Sequence, residues 1–109
     1  MNRGVAAGLY RTLFVPGHLI VDQEDRDRYV ADCAAAVAEA RQAEGCLDFA
    51  VSADSIDPSR VNVFERWRSR ELLSAFRGSG PDDATRNRIR EAKVSEYPIG
   101  LSLVLGREH

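Results

Sequence analysis

Apolar and polar residues alternate with a period of two in four stretches of this chain, and recur every three to four residues in the segments between them. From Leu13 to Val21, Leu13, Val15, Leu19 and Val21 share one side with Gly17, and Phe14, Pro16, His18 and Ile20 share the other. That is the pattern of a strand. Pro16 has no N–H for a ladder, so this part of the strand is expected at an edge, a bulge or an entry. From about residue 23 to 43, Tyr29, Val30, Cys33, Ala34, Val37 and Ala40 recur at helical steps, with Arg28, Asp32, Glu39 and Gln42 opposite. Asp22 suits the N-cap, Glu24 and Asp25 suit the positive end of the helix dipole, and Gly45 suits the C-cap.

Two further strands follow. In CLDFAVSA, Leu47, Phe49, Val51 and Ala53 alternate with Cys46, Asp48, Ala50 and Ser52, and VNVFERW alternates again. DSIDPSR between them is dense in turn formers, with Pro58 fixing φ. Ser69 then caps a short helix whose stripe is Leu72, Leu73 and Phe76, stopped by Gly78 and Gly80. PDDATRNRIREAK has only the sparse stripe Ala84, Ile89 and Ala92 and predicts a weakly packed helix or helical loop. VSEYPIGLSLVLG places Tyr97, Ile99, Leu101, Leu103 and Leu105 on one side of a last strand. The order β-α-β-β-α-β predicts an α+β, ferredoxin-like fold: an antiparallel four-stranded sheet with helices on one face. The bare face would need a cover, and a second copy across a dimer axis supplies one.

The chain of 109 residues is 44% hydrophobic and 29% charged, as expected of one soluble domain with a modest core. Residues 1–11 read as a loose tail and 12–109 as a single domain. A net charge of −2, with acids and bases interleaved, gives no reason to expect nucleic acid or an acidic membrane surface. No stretch approaches the roughly 20 apolar residues of a membrane span, and the N-terminal residues lack a signal-peptide core, so a cytoplasmic protein is expected. Cys33 and Cys46 make no metal spacing, and no secretion signal supports a disulfide between them. Cys33 lies on the apolar stripe as a small core residue. Phosphate loops, nicotinamide or flavin fingerprints and nucleophilic triads are absent, and the two histidines lie too far apart to begin a ligand set.

Polar chemistry concentrates at the end of the third strand. Glu65 stands among apolar neighbours on the side shared by Val61, Val63 and Trp67. A carboxylate there is either paired with an arginine or works as a base. Trp67 is either a core aromatic or a cavity wall with one N–H to donate. Asn62 and Arg66 lie on the opposite side, suited to turn and interface hydrogen bonds or to orienting a ligand and stabilising an anion. His18 is the internal side chain whose ordinary pKa suits proton transfer near neutrality. Tyr97 packs with the last strand or offers a hydroxyl. If a cavity lies between sheet and helices, only one strand side serves it, and both remain open here.

Gly45-Cys46, Asp57-Pro58 and Glu65-Arg66-Trp67, followed by the helix Ser69 to Phe76, resemble the antibiotic biosynthesis monooxygenase superfamily. The likeness extends over about residues 13–104. It implies a dimeric α+β barrel, and a homodimer as the assembly. Members include cofactor-independent quinol and anthrone monooxygenases, haem degraders and small-molecule isomerases. Two departures matter. Phe76 stands where haem degraders carry an iron-ligating histidine, and phenylalanine cannot ligate iron. Phe49 stands where many relatives have tyrosine. The resemblance therefore implies a cofactor-independent oxygenase that uses O2 on an electron-rich phenol, quinol or anthrone. Trp67, Phe76 and Phe49 would wall the substrate site with Tyr97. Arg66 or Asn62 would stabilise the anion, and Glu65 or His18 would take the proton. An isomerase or a non-catalytic binding protein is the alternative on the same scaffold.

Overall fold

The computed structural model describes residues 12–78 and 82–100. Strand β1 (Thr12–Val21) lies at the centre of the sheet and leads through a tight helical turn at Gln23–Asp25 into α1 (Arg26–Asp32) and α2 (Ala34–Gln42). β2 (Cys46–Ala53) and β3 (Arg60–Trp67) form a hairpin, followed by α3 (Arg70–Arg77), α4 (Asp83–Arg88), β4 (Ile89–Val94) and the short β5 (Tyr97–Ile99). The sheet runs β2-β3-β1-β4, all antiparallel, with β5 also paired to β1. This is the ferredoxin-like α+β arrangement expected from the alternation. Among the described residues, no helix is long and apolar enough to cross a membrane.

Three boundaries differ from the pattern-based expectation. The helix over 23–43 is divided at Cys33, whose N–H is shared by the carbonyls of Tyr29 and Val30 at 3.1 Å each. Sharing tightens that turn into 3-10 geometry. Asp22 sits at the N-cap position, but its carboxylate turns away to grip Arg90 at 3.0 Å through both oxygens. The edge strand begins at Ile89, where a helix or helical loop over the polar run was expected. The run IREAKV reads polar because β4 is an edge strand: Glu91 and Lys93 stand on the open face, and Arg90 reaches Asp22. β5 continues that edge along β1, and the predicted strand positions Leu101, Leu103 and Leu105 lie outside the described residues.

The pleat sorts the side chains as the alternation requires. Leu13, Val15, Val21, Val61 and Trp67 are buried on the helix-facing side, against Tyr29, Ala40 and Leu73 from the helices. Phe14, Pro16, His18 and Ile20 of β1, paired with Arg66, Phe64, Asn62 and Arg60 of β3, make up the open face. Both cysteines are free thiols. Ser69 caps α3 by accepting from the Leu72 N–H at 3.2 Å. Gly45 lies two residues past the helix's extended C-cap Ala43, with φ +85°, and a Cβ there would stand 2.3 Å from the Leu72 side chain. The turn therefore needs glycine both for its backbone and for the approach of α3.

The β2–β3 turn is held by charge-assisted bonds. Arg26 donates from Nη1 to the carbonyls of Asp54, Asp57 and Arg60 at 3.2, 2.9 and 3.3 Å. The Asp54 carboxylate accepts from the N–H groups of Ile56 and Asp57 and from the Asn62 amide. Those donors, the Asp57 N–H first, hold its pKa down at about 2. A folded pKa below the unfolded one contributes stability at neutral pH that fades as pH falls toward the folded value. Between pH about 4 and about 2, wild-type stability should therefore fall more steeply than that of Asp54→Asn. Urea unfolding across that range checks this, and equal slopes would refute it.

Candidate active site

Val63 and Glu65 of β3 form the floor of the site, with Val61 and Trp67 buried beside them on the same strand side. Val61, Val63, Glu65 and Trp67 share the helix-facing side because successive side chains in a strand point oppositely. Val15 and Leu19 from β1 and Val51 from β2 extend that floor, and the helices roof it to leave a cavity of about 590 Å³. That volume lies in the range of small-molecule sites, and its lining is mostly apolar. Phe49 and Phe76 form one wall. Their rings meet at 6.1 Å, and both pack on Trp67, with centroids 6.5 and 5.4 Å from its ring.

Trp67 itself is fully buried behind that wall. Its indole Nε1 donates to Glu65 Oε1 at 2.9 Å. The other carboxylate oxygen faces Arg77 Nη2 at 3.5 Å, and Arg77 reaches Glu96 at 3.6 Å through Nη1. Arg70 in turn holds Glu96 by its other oxygen. Glu65 is 12% exposed and Arg77 41% exposed, so the pair grades from the cavity outward to solvent. The result is two carboxylates, Glu65 and Glu96, sharing one guanidinium on the rim of a largely apolar chamber.

A second polar group lines the chamber. Tyr29, 5% exposed, stands on α1 one helical turn before Cys33, and both line the cavity. Burial, with the adjacent Cys33 thiol adding to it, pushes the Tyr29 phenol up to about 12. Burial likewise raises the Cys33 thiol. Both groups are therefore protonated donors at neutral pH.

Of the residues singled out in the sequence, the fold brings Glu65, Phe49 and Phe76 to the cavity, with Trp67 directly behind them. It places Asn62, Arg66 and His18 on the opposite sheet face. There Asn62 serves the hairpin turn, donating to Asp54 at 2.9 Å and accepting from Arg60 at 2.7 Å. Tyr97 pairs with Phe14 on the same open face and is 52% exposed. Tyr29, Cys33, Arg77 and Glu96 escaped the sequence reading as site residues. Tyr29 and Cys33 sit on the apolar stripe, which reads as core; their four-residue spacing was the available signal. Glu96 lies between two strand segments, where no periodic pattern marks it.

The ring of Phe76, at the position that the resemblance assigns to an iron ligand, packs on Trp67 and offers no donor atom, so that position does not fit a haem. Among the described residues, no three His, Cys, Asp or Glu side chains gather as a metal site.

Comparison with known proteins agrees with this architecture. A family model described as antibiotic biosynthesis monooxygenase matches residues 13–88. A conserved protein of unknown function from Bacteroides thetaiotaomicron, described as a possible oxidoreductase, superposes with a TM-score of 0.70 at 14% identity, over 82% of this chain and 98% of that one. A protein from Chloroflexus aurantiacus, provisionally described as an antibiotic biosynthesis monooxygenase, superposes at 0.68 with 23% identity, over 89% of this chain and 97% of its own. One from Nitrosomonas europaea with the same provisional description superposes at 0.69 with 14% identity, over 80% and 88%. At these identities the structural likeness speaks to the fold. No curated protein matches the chain.

The packing around Trp67 sets what can be mutated there. Trp67→Ala removes a fully buried indole and should cost about 3–5 kcal/mol, a large part of the roughly 5–15 kcal/mol that holds a domain together. Trp67→Phe keeps most of the ring and forfeits the hydrogen bond to Glu65, for about 1–2 kcal/mol. Denaturant titration of the two variants checks the order; an equal loss would show that the hydrogen bond dominates over ring volume.

Proposed function

Since the chain belongs to the antibiotic biosynthesis monooxygenase family, we propose that its cavity binds an electron-rich phenol, quinol or anthrone and oxidises it with O2 without a cofactor. The observation that carries this reading is a mostly buried carboxylate, Glu65, set in a largely apolar chamber with the Arg77 guanidinium, shared with Glu96, at its outer oxygen. The reaction asks the protein for that much: a proton acceptor, a cation beside the resulting anion, and walls that exclude water.

Glu65 takes the acidic proton of the bound substrate, and Arg77 stabilises the anion that remains. The anion passes one electron to O2, and the substrate radical and superoxide join in a carbon–oxygen bond. The ring peroxide then loses its C–H proton as its O–O bond breaks. One oxygen leaves as water, taking up two protons, and the other stays as the quinone carbonyl. The substrate supplies every electron, so no external reductant enters. Phe49 and Phe76 hold the aromatic ring, and Trp67 fixes Glu65 through the indole N–H. This mechanism assigns no step to Asn62, Arg66 or His18.

Oxygen uptake by metal-free protein against a panel of quinols, dihydroxynaphthalenes and anthrones tests the proposal. Uptake above the autoxidation background should fall by about 10²–10⁴-fold in Glu65→Gln. His18→Gln, on the other sheet face, should retain uptake within about twofold of wild type. No uptake from any compound would overturn the oxygenase reading in favour of an isomerase or a binding protein. Unchanged turnover in Glu65→Gln would remove Glu65 from the mechanism.

The same proposal includes a homodimer. The open face carries Phe14 and Phe64 in edge-to-face contact at 5.9 Å, with Pro16 and Ile20 alongside, and a second copy would remove this apolar surface from water. Sedimentation at micromolar concentration should give a dimer, and a monomer there would contradict it.

A further inference from the structure

The proposed reaction uses one end of the cavity. Glu65 lies toward the Trp67 end of β3, and the other end is closed by Tyr29, which packs with Val21 and Val61. Val61 and Glu65 stand four residues apart on one strand, which at about 3.3 Å per residue separates the two levels by about 13 Å. The chamber between them is apolar, floored by Val15, Leu19 and Val63. The apolar floor therefore runs between the Glu65–Arg77–Glu96 group and the Tyr29 phenol, with Cys33 and Thr85 also in the lining.

Tyr29 is held in place more firmly than packing alone requires. The guanidinium of Arg88 lies over its ring, 5.1 Å from the centroid. Arg88 is itself fixed by both oxygens of Asp25, at 2.8 and 2.9 Å, and by Asp32 at 2.9 Å. Three elements, the turn at Gln23–Asp25, α1 and α4, thus converge to position one aromatic ring. Beside the hydroxyl lies the Cys33 thiol, a weak hydrogen-bonding partner. A phenol buried to 5% exposure, aligned by a clamp and paired among the described residues only with sulfur, has an O–H to offer a stronger acceptor.

We propose that Tyr29 is a substrate-binding residue whose hydroxyl donates to an oxygen at the end of the ligand remote from Glu65 and Arg77. The ligand class follows: a flat, elongated aromatic molecule with an ionisable oxygen at one end, a hydroxyl or carbonyl oxygen at the other, and apolar flanks. Arg88 is a positioning residue that acts through the Tyr29 ring. The phenol keeps its proton across the physiological range, so the contact persists throughout it. This inference rests on the cavity being the substrate site; it does not depend on oxygen chemistry.

Binding measured without O2 separates the two ideas. The probes are a naphthol and the naphthalenediol that adds a second hydroxyl on the far ring, titrated by calorimetry into wild type and Tyr29→Phe. The diol should bind wild type about tenfold more tightly than the naphthol, the worth of one well-made hydrogen bond. In Tyr29→Phe that advantage should vanish while the naphthol binds as before. The same advantage in both proteins, or no binding of either probe to wild type, overturns the proposal. If the advantage depends on Tyr29 but the diol is not oxidised when O2 is admitted, only the oxygenase reading of that compound fails.

Discussion

A carboxylate on the helix-facing side of a β-sheet must be satisfied, and the structure around the cavity is arranged to do this for Glu65. One oxygen takes the indole N–H of Trp67, two residues on along the same strand side. The other faces Arg77 from α3. The first contact needs Trp67 fully buried, which brings Leu13, Val15 and Leu73 around it and sets Phe49 and Phe76 on its faces. The second needs α3 to close over the strand end, which Ser69 secures with a cap and Gly45 permits by lacking a Cβ. Leaving such a group unpaired would cost more than any one of these contacts returns.

The division of the sheet into two faces follows from the same constraint. Glu65, Trp67 and the valines between them belong to the side that meets the helices, so Asn62, Phe64 and Arg66 necessarily belong to the other. The cavity can draw only on the first set. What the second set does is also visible in part: Asn62 ties Arg60 to Asp54 and stiffens the hairpin turn. Glu65 and Asn62, both within five residues of Trp67 in sequence, therefore have different work, separated only by the parity of their positions.

The cavity's far end obeys a different logic. Tyr29 comes from the helix stripe and not from the sheet, and its orientation depends on Arg88, 59 residues away in the sequence, gripping Asp25 and Asp32. These ion pairs are partly solvated, and their worth lies more in geometry than in stability. They join the short α4, which is otherwise sparsely apolar, to the main helix. That is why a segment with a weak hydrophobic stripe still has a defined place.

The alternation and the helical stripes determined the α+β class, the element order, the hairpin, the Ser69 cap and the two sides of each strand, because these depend on periods of a few residues. The pieces Gly45-Cys46, Asp57-Pro58 and Glu65-Arg66-Trp67 pointed to the family for a related reason, each being a local turn or strand-end arrangement. Tertiary structure alone decided which strand side meets the helices, since burial depends on the partner and not on the pattern. It moved the edge strand back to Ile89, where charged residues are tolerated because an edge strand has one free margin and an open face. It also gathered Tyr29, Arg77 and Glu96 around Glu65's chamber from two helices and the link between β4 and β5. Contacts between elements distant in the chain leave no periodic trace, so the sequence could name the carboxylate but not the company it keeps.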